Sequence, residues 1–286
     1  MRREGCVPLS PNVLRGVCGM IRRTFAWLFA VSFLWTASAV AQERPAQVQA
    51  FSISETGRLG TAIWRQDVAA ARATDALLAA SGGQPPQGLI GWIVIPEGDG
   101  QRVRFLSGEI SAPQAFKDVV IDSQLKAGPV IDVAEPALSV DEIAQFAARN
   151  TAAQAIGPLR CAARYNAVML KDPEGSGWLV WLLASTTQAN VVPMGGHYRF
   201  HISADGQTVE KREQLSGGCL DMDRSQAQRG GQTVGLVTNI VVAPQPLEVH
   251  VYLSLLNRLP IYAMAGDKIW EVQGARIREV TPSARR

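Results

Sequence analysis

The sequence predicts an α+β fold, predominantly antiparallel β-sheet in meanders and hairpins, with one helix leading each of two units. Two segments carry apolar residues at helical spacing. Each is followed by short apolar or alternating runs that are typical of strands. Glycine, proline and aspartate clusters of the kind that form tight turns separate these runs. The repeated order of helix and meander indicates a duplicated architecture, without a repeat at the level of residues.

The first 41 residues have the organisation of a secretory signal peptide. Met20–Arg23 supplies positive charge, Phe25–Trp35 is apolar except for one serine, and Ala39–Ala41 is a small-residue cleavage site. Translation can equally begin at Met20. Because the apolar run is too short to span a bilayer comfortably, we predict cleavage after Ala41 and a periplasmic or secreted protein. The alternative is an uncleaved signal that anchors the same domain to the membrane.

The charge balance argues against nucleic acid as a partner. Five of the 28 basic residues and one of the 25 acidic residues precede Gln42, which leaves 23 against 24 and a net charge of −1. The remaining chain has no run of lysine or arginine that could follow a phosphate backbone.

The cysteines predict one disulfide. Cys6 and Cys18 belong to the leader, so Cys161 and Cys219 remain as an even pair in an oxidising compartment. Neither residue belongs to a C-x-x-C unit, which disfavours the alternatives of a reactive thiol or a metal ligand.

The first unit is predicted to follow a flexible N-terminal arm over residues 42–60. Residues 61–80 are rich in alanine and leucine and end at a glycine–proline segment, which predicts a helix. Three strands follow, so residues 61–125 are predicted to form a helix plus a three-stranded meander. Residues 126–138 are predicted to be a connector.

The second unit, residues 139–286, is predicted to be a helix followed by an antiparallel sheet. Ser139 and Glu142 have the spacing of a capping box, and the helix ends before Gly157. The segment 177–184 is apolar on both faces, which predicts a central strand. The other predicted strands are 165–170, 197–203, 207–215, 234–242, 247–255, 261–265, 269–272 and 275–280.

Three of the candidate site residues share one face of the strand 197–203. His197, Arg199 and His201 alternate with apolar residues and therefore point to the same side. The two histidines are about 13 Å apart along a strand, which is too far for both to bind one metal ion. We therefore predict no metal site and no cofactor.

The remaining candidates, Glu248 and His250, lie on the polar face of the predicted strand 247–255. If this strand neighbours the strand 197–203, the candidates would form one polar surface on the sheet. Such a surface is either a solvated or loop-covered sheet face or a binding or catalytic patch. The catalytic candidates are therefore His197, Arg199, His201, Glu248 and His250.

The sequence contains no nucleophile elbow, zinc-protease motif or phosphate loop. We therefore expect a non-enzymatic binding or interaction protein of the bacterial cell envelope, held by one disulfide. The expected partner is an envelope protein or peptide segment, added as a strand to the charged edge strand 207–215. The alternative is a secreted hydrolase or lyase that uses the His/Arg/Glu sheet face.

Overall fold

Three helices and fourteen strands form the part of the chain that the structure, a computed structural model, describes, residues 45–224 and 235–281. The helices are α1 (Ile53–Ala80), α2 (Val140–Ala155) and α3 (Glu248–Asn257). The strands of the first half are β1 (Leu89–Glu97), β2 (Gly100–Glu109), β3 (Ala112–Ile121) and β4 (Ala127–Asp132). The middle strands are β5 (Arg164–Lys171), β6 (Trp178–Ser185), β7 (Val191–Pro193), β8 (Tyr198–Ile202), β9 (Val209–Gln214) and β10 (Asp221–Asp223). The last are β11 (Leu236–Ile240), β12 (Ile261–Ala265), β13 (Lys268–Gln273) and β14 (Arg276–Val280). The predicted α+β class, dominated by antiparallel sheet, is confirmed.

The first half consists of α1 and an antiparallel sheet in the order β1-β2-β3-β4. Helix α1 packs Ala69, Ala73 and Leu77 against one face of this sheet, where Val103 and Val119 are buried. The meander therefore has four strands instead of three. The predicted connector 126–138 contains β4, because Ala127–Asp132 pairs with β3 after a turn at Asp122.

The predicted flexible arm 42–60 is wrong over its described part, because the Gln49 amide donates to Glu213, Phe51 is buried, and α1 begins at Ile53 and not at Thr61. Ser52 caps the helix through its Oγ, which accepts from the Glu55 amide at 3.2 Å. The first turns of α1 were not predicted to be helical because they contain Gly57 and Gly60, and glycine disfavours helices. Both are needed for close packing: a Cβ at Gly60 would lie 2.5 Å from the Glu248 carbonyl oxygen of α3.

The second half begins with α2 and an antiparallel sheet in the order β5-β6-β8-β9. The predicted capping box is confirmed: Ser139 accepts from the Glu142 amide, and Glu142 accepts from the Ser139 amide. Strand β6 is buried along almost its whole length between β5 and β8, as predicted for a central strand. Its Trp178 side faces α2, while its Trp181 side faces α1 and α3. The predicted edge strand 207–215 is also confirmed as β9.

The predicted strand 247–255 is wrong, because Glu248–Asn257 is helix α3. Residues 248–254 are all buried, so the helix shows no polar stripe at helical spacing. The alternation of apolar and polar residues over 247–255 therefore imitates a strand. Helix α3 connects β11 to β12, which pair in parallel, and the last sheet has the order β11-β12-β13-β14.

The predicted disulfide between Cys161 and Cys219 is present, which is compatible with an extracellular protein. It lies against Gly196, where a Cβ would come 2.4 Å from the Cβ of Cys161. Gly196 also has a φ of +84°, which favours glycine.

The predicted signal peptide, residues 1–41, lies outside the described residues and remains a prediction. Within residues 45–224 and 235–281, none of the helices has the length and apolar character required to span a membrane.

Candidate functional site

His197, Arg199 and His201 point to the same side of β8, as predicted, but that side is not solvated. The three residues are 1%, 0% and 8% exposed, respectively. The Arg199 guanidinium lies over the Phe51 ring, 4.8 Å from its centroid, and α3 also covers this face. Arg199 and Glu248 are in contact, as expected if the two candidate segments are neighbours, although Glu248 belongs to a helix and not to a strand.

Arg199 is the centre of a buried ionic group that we call the Arg199 cluster: Arg199, Glu213, Glu248 and His201. Arg199 Nε donates to Glu213 Oε2 at 2.8 Å, and its Nη1 donates to Glu248 Oε1 at 2.7 Å. Its Nη2 donates to the Gln49 carbonyl at 2.6 Å. The cluster therefore joins the N-terminal segment, β8, β9 and α3.

Glu213 is the most heavily bonded carboxylate of the Arg199 cluster. Its oxygens contact His201 Nε2 at 3.0 Å, Lys211 Nζ at 2.7 Å and the Gln49 amide at 2.7 Å. Burial raises the pKa of Glu213, but His201 and Arg199 lower it more, so this pKa lies well below its ordinary value. Glu213 therefore serves as a fixed anion inside the protein.

His197 and His250 have separate structural roles. The Ala184 amide donates to His197 Nδ1 at 3.1 Å, and the Pro193 carbonyl lies 2.9 Å from His197 Nε2. The Leu247 amide donates to His250 Nδ1 at 3.0 Å, so the imidazole closes the first turn of α3. Burial lowers the pKa of each histidine to about 4, which keeps both rings neutral.

These two histidines predict acid sensitivity. The pKa of each histidine is about 4 in the folded state and close to the ordinary histidine value of 6.5 in the unfolded chain, so the unfolded chain binds more protons below pH 6.5. Stability is present above pH 6.5 and falls toward pH 4. Each histidine should cost about 2 kcal/mol between pH 7 and pH 5.

His250→Gln should remove about half of this loss, because an amide oxygen can accept from the Leu247 amide without titrating. Urea unfolding of the natural protein and the variant at pH 7 and pH 5 measures this difference in the loss of stability. An unchanged loss in the variant would show that His250 is not held neutral. Glu213 contributes little in this range, because its carboxyl is ionised in the folded state and mostly ionised above pH 5 in the unfolded chain, where its pKa has the ordinary value of 4.5.

The predicted catalytic candidates therefore form an internal ionic group and two buried neutral histidines. Within residues 45–224 and 235–281, no group of three or more His, Cys, Asp or Glu side chains is arranged to hold a metal ion.

An accessible cleft lies elsewhere, where the two halves of the chain meet. This junction cleft has a volume of about 760 Å³ and lies between the β1–β2 hairpin, the start of α2 and the β5–β6 hairpin. Its apolar part includes Pro96, Met169 and Trp178. Its full lining is Gln66, Val94, Ile95, Pro96, Glu97, Arg102, Arg104, Ser139, Asp141, Glu142, Gln145, Met169, Leu170, Lys171 and Trp178.

The cations of the junction cleft are balanced by carboxylates of the same cleft. Arg102 Nη2 donates to Glu97 Oε1 at 2.6 Å. Arg104 Nη1 donates to Glu142 Oε1 at 2.6 Å, which links the first sheet to α2. Lys171 Nζ donates to Asp141 Oδ1 at 3.0 Å and lies 3.8 Å from the Trp178 ring centroid. The lining is therefore charged but close to neutral.

Two buried glutamines bond to the backbone inside the junction cleft. Gln145 of α2 donates its side-chain amide to the Val94 carbonyl of β1 at 3.0 Å. Gln66 of α1 accepts from the Met169 amide of β5 through Oε1 at 3.4 Å. The two side chains are 6% and 5% exposed, respectively.

Sequence reasoning missed this cleft. Its walls come from four segments far apart in the chain, and a glutamine within a helix carries no local signal of its target. The sequence predicts the capping box at Ser139 and the strands of the walls, but not that these segments meet around one cleft. No protein-family model matches this chain, and no curated protein has a significant match to it.

Proposed function

We propose that this chain is a non-enzymatic binding protein of the bacterial cell envelope, exported by its leader and acting in the periplasm. Its ligand occupies the junction cleft. The observation that carries the proposal is this cleft of about 760 Å³. Residues of both halves line it, and the lining combines paired charges with apolar side chains.

Two further features support the proposal. The disulfide accords with an oxidising compartment. The residues of the alternative hydrolase or lyase site are buried and already hydrogen-bonded within the protein. Arg199 bonds to Glu213 and Glu248, and His197 and His250 bond to backbone groups. A substrate would have to displace these bonds before reaching them.

Photo-crosslinking in intact cells tests the proposal. A photoreactive amino acid replaces Lys171, whose side chain is 51% exposed at the cleft. The matched control replaces Ile110, which is 61% exposed in the β2–β3 turn, at the opposite end of β2 from Arg102. We expect an adduct of defined mass at position 171 and not at position 110.

The intact mass of the same sample tests removal of residues 1–41. Equal labelling at both positions, or unmodified protein at position 171, would contradict the proposed binding role. A mass that retains the leader would contradict the proposed periplasmic location.

A further inference from the structure

The outer edges of two sheets face the same gap. Strands β1 and β5 each end their sheet, and in residues 45–224 and 235–281 neither has a strand partner on its outer side. Ile95–Glu97 and Met169–Lys171 line the junction cleft. Trp92 and Arg164–Asn166 line a second cavity of about 820 Å³ at the other end of the gap. The two strands therefore run in the same direction along an inter-sheet gap.

The backbone groups that point into the gap are set by strand register. The Val94 carbonyl accepts a hydrogen bond from the Gln145 side chain of α2, which shows that this carbonyl points away from β2. In antiparallel pairing the N–H and C=O of one residue point to the same side, and this side alternates along the strand. Trp92 and Val94 therefore present their N–H and C=O groups to the gap, whereas Pro96, which has no N–H, presents only its C=O. The same reasoning applies to Ala167, Met169 and Lys171, because the Met169 amide donates to Gln66.

The two glutamines occupy the positions of a peptide backbone. Gln145 offers an amide N–H to a strand carbonyl, and Gln66 offers a carbonyl to a strand N–H. These are two of the hydrogen bonds that an added strand would make, one to β1 and one to β5. A buried edge without such partners would cost about 1–3 kcal/mol for each unpaired group.

Length and charge restrict what can enter the gap. From Trp92 to Glu97 the strand extends about 20 Å, which suits a segment of about six residues. Three cations and three carboxylates of the junction cleft are already paired with each other. In the junction cleft a charged group would have to compete with one of these pairs, whereas an uncharged extended segment satisfies the backbone groups and leaves the pairs intact.

We propose that an uncharged, extended peptide segment binds in the inter-sheet gap as an added strand between β1 and β5, displacing the side-chain amides of Gln66 and Gln145. The segment runs antiparallel to both strands, the more stable arrangement for an added strand. This inference rests on the proposed binding function and names its ligand class. Strand β9, the edge expected from the sequence, is less suitable, because Glu210, Lys211 and Arg212 oppose the pairing of a neutral segment there.

Amide exchange at single-residue resolution tests the inference. The probe is an eight-residue peptide of alternating valine and threonine, blocked at both ends. At saturation it should slow exchange of the Val94 and Met169 amides about tenfold or more. The Ile93 and Val168 amides, which point toward β2 and β6, serve as internal controls and should not change.

Two N-methylated forms of the peptide separate strand addition from other modes of binding. One form is methylated at the odd-numbered amides and the other at the even-numbered amides. Each form therefore lacks the N–H donors that the bound peptide would direct toward one of the two strands, β1 or β5. Each form should bind about tenfold more weakly than the parent. Equal binding of all three peptides, or protection of β9 or β14 amides instead, would overturn the inference.

Gln145→Ala provides an independent test, because removing the competing amide should increase peptide affinity about threefold. Gln114→Ala, an exposed glutamine on β3, is the matched control and should have no effect. Unchanged or weaker binding by a folded Gln145→Ala protein would contradict displacement. If position 171 captures a ligand in cells while the peptide fails to bind, the binding function stands and the strand inference falls.

Discussion

Replacement of Arg199 by methionine should lower the free energy of unfolding by about 3–5 kcal/mol at pH 7. Arg199 is fully buried and is the cation that both Glu213 and Glu248 contact. Glu213 would keep His201 and Lys211 as partners. Glu248 would keep the indole N–H of Trp181, which donates to its Oε1 at 2.8 Å, but would lose its ion-pair partner. An uncompensated buried carboxylate accounts for the large cost.

Two variants make this prediction specific to the buried charge. Arg58→Met removes an arginine–glutamate pair on the surface of α1, where Arg58 is 59% exposed, and should cost less than about 0.5 kcal/mol. Arg199→Met combined with Glu248→Gln removes the unpaired negative charge at position 248 but keeps an oxygen that can accept from the Trp181 indole N–H. The double variant should recover at least half of the lost stability.

Urea unfolding at pH 7 measures all three proteins. If Arg199→Met cost less than about 1 kcal/mol, the interior would tolerate the carboxylate without its cation. If the double variant were as unstable as the single one, the loss would come from packing against Phe51 and not from charge.

The sequence allowed prediction of the elements whose patterns are local. The two apolar faces of 177–184 identified a central strand, and Ser139 with Glu142 identified the start of α2. The even cysteine pair identified the disulfide. Neighbouring residues determine the strand and the helix start, and the disulfide follows from the cysteine count and the predicted compartment, so none of these predictions needs the tertiary fold.

Prediction failed where distant contacts decide the structure. The glycines of α1 look unfavourable for a helix until α3 is placed against Gly60. Helix α3 reads as a strand because burial on all sides removes its polar stripe. The polar face of β8 looked like a surface, since only the fold shows that Glu248 supplies the countercharge to Arg199. The junction cleft depends on four segments and has no local pattern.

Loss of the disulfide should destabilise the protein by up to about 4 kcal/mol. Cys161 and Cys219 are 58 residues apart, and a cross-link over such a loop restricts the unfolded chain by about that amount in the chain-entropy model. The double variant Cys161→Ser with Cys219→Ser should therefore unfold at lower urea concentration. Its urea dependence should also be steeper, because an unfolded chain without the cross-link exposes more surface.

The effect of reduction on the folded state should be local. Cys161 precedes β5, which begins at Arg164 and borders the inter-sheet gap, and Cys219 precedes β10. Reduction of the natural protein should speed amide exchange at residues 162–166 by more than the general acceleration that the lower free energy of unfolding produces in the other buried amides, including those around the Arg199 cluster. Reductant should have no effect on the double serine variant, which serves as the control. A loss below about 1 kcal/mol would contradict a bridge that acts on the unfolded chain, and the absence of extra acceleration at residues 162–166 would contradict a bridge that fixes one end of β5.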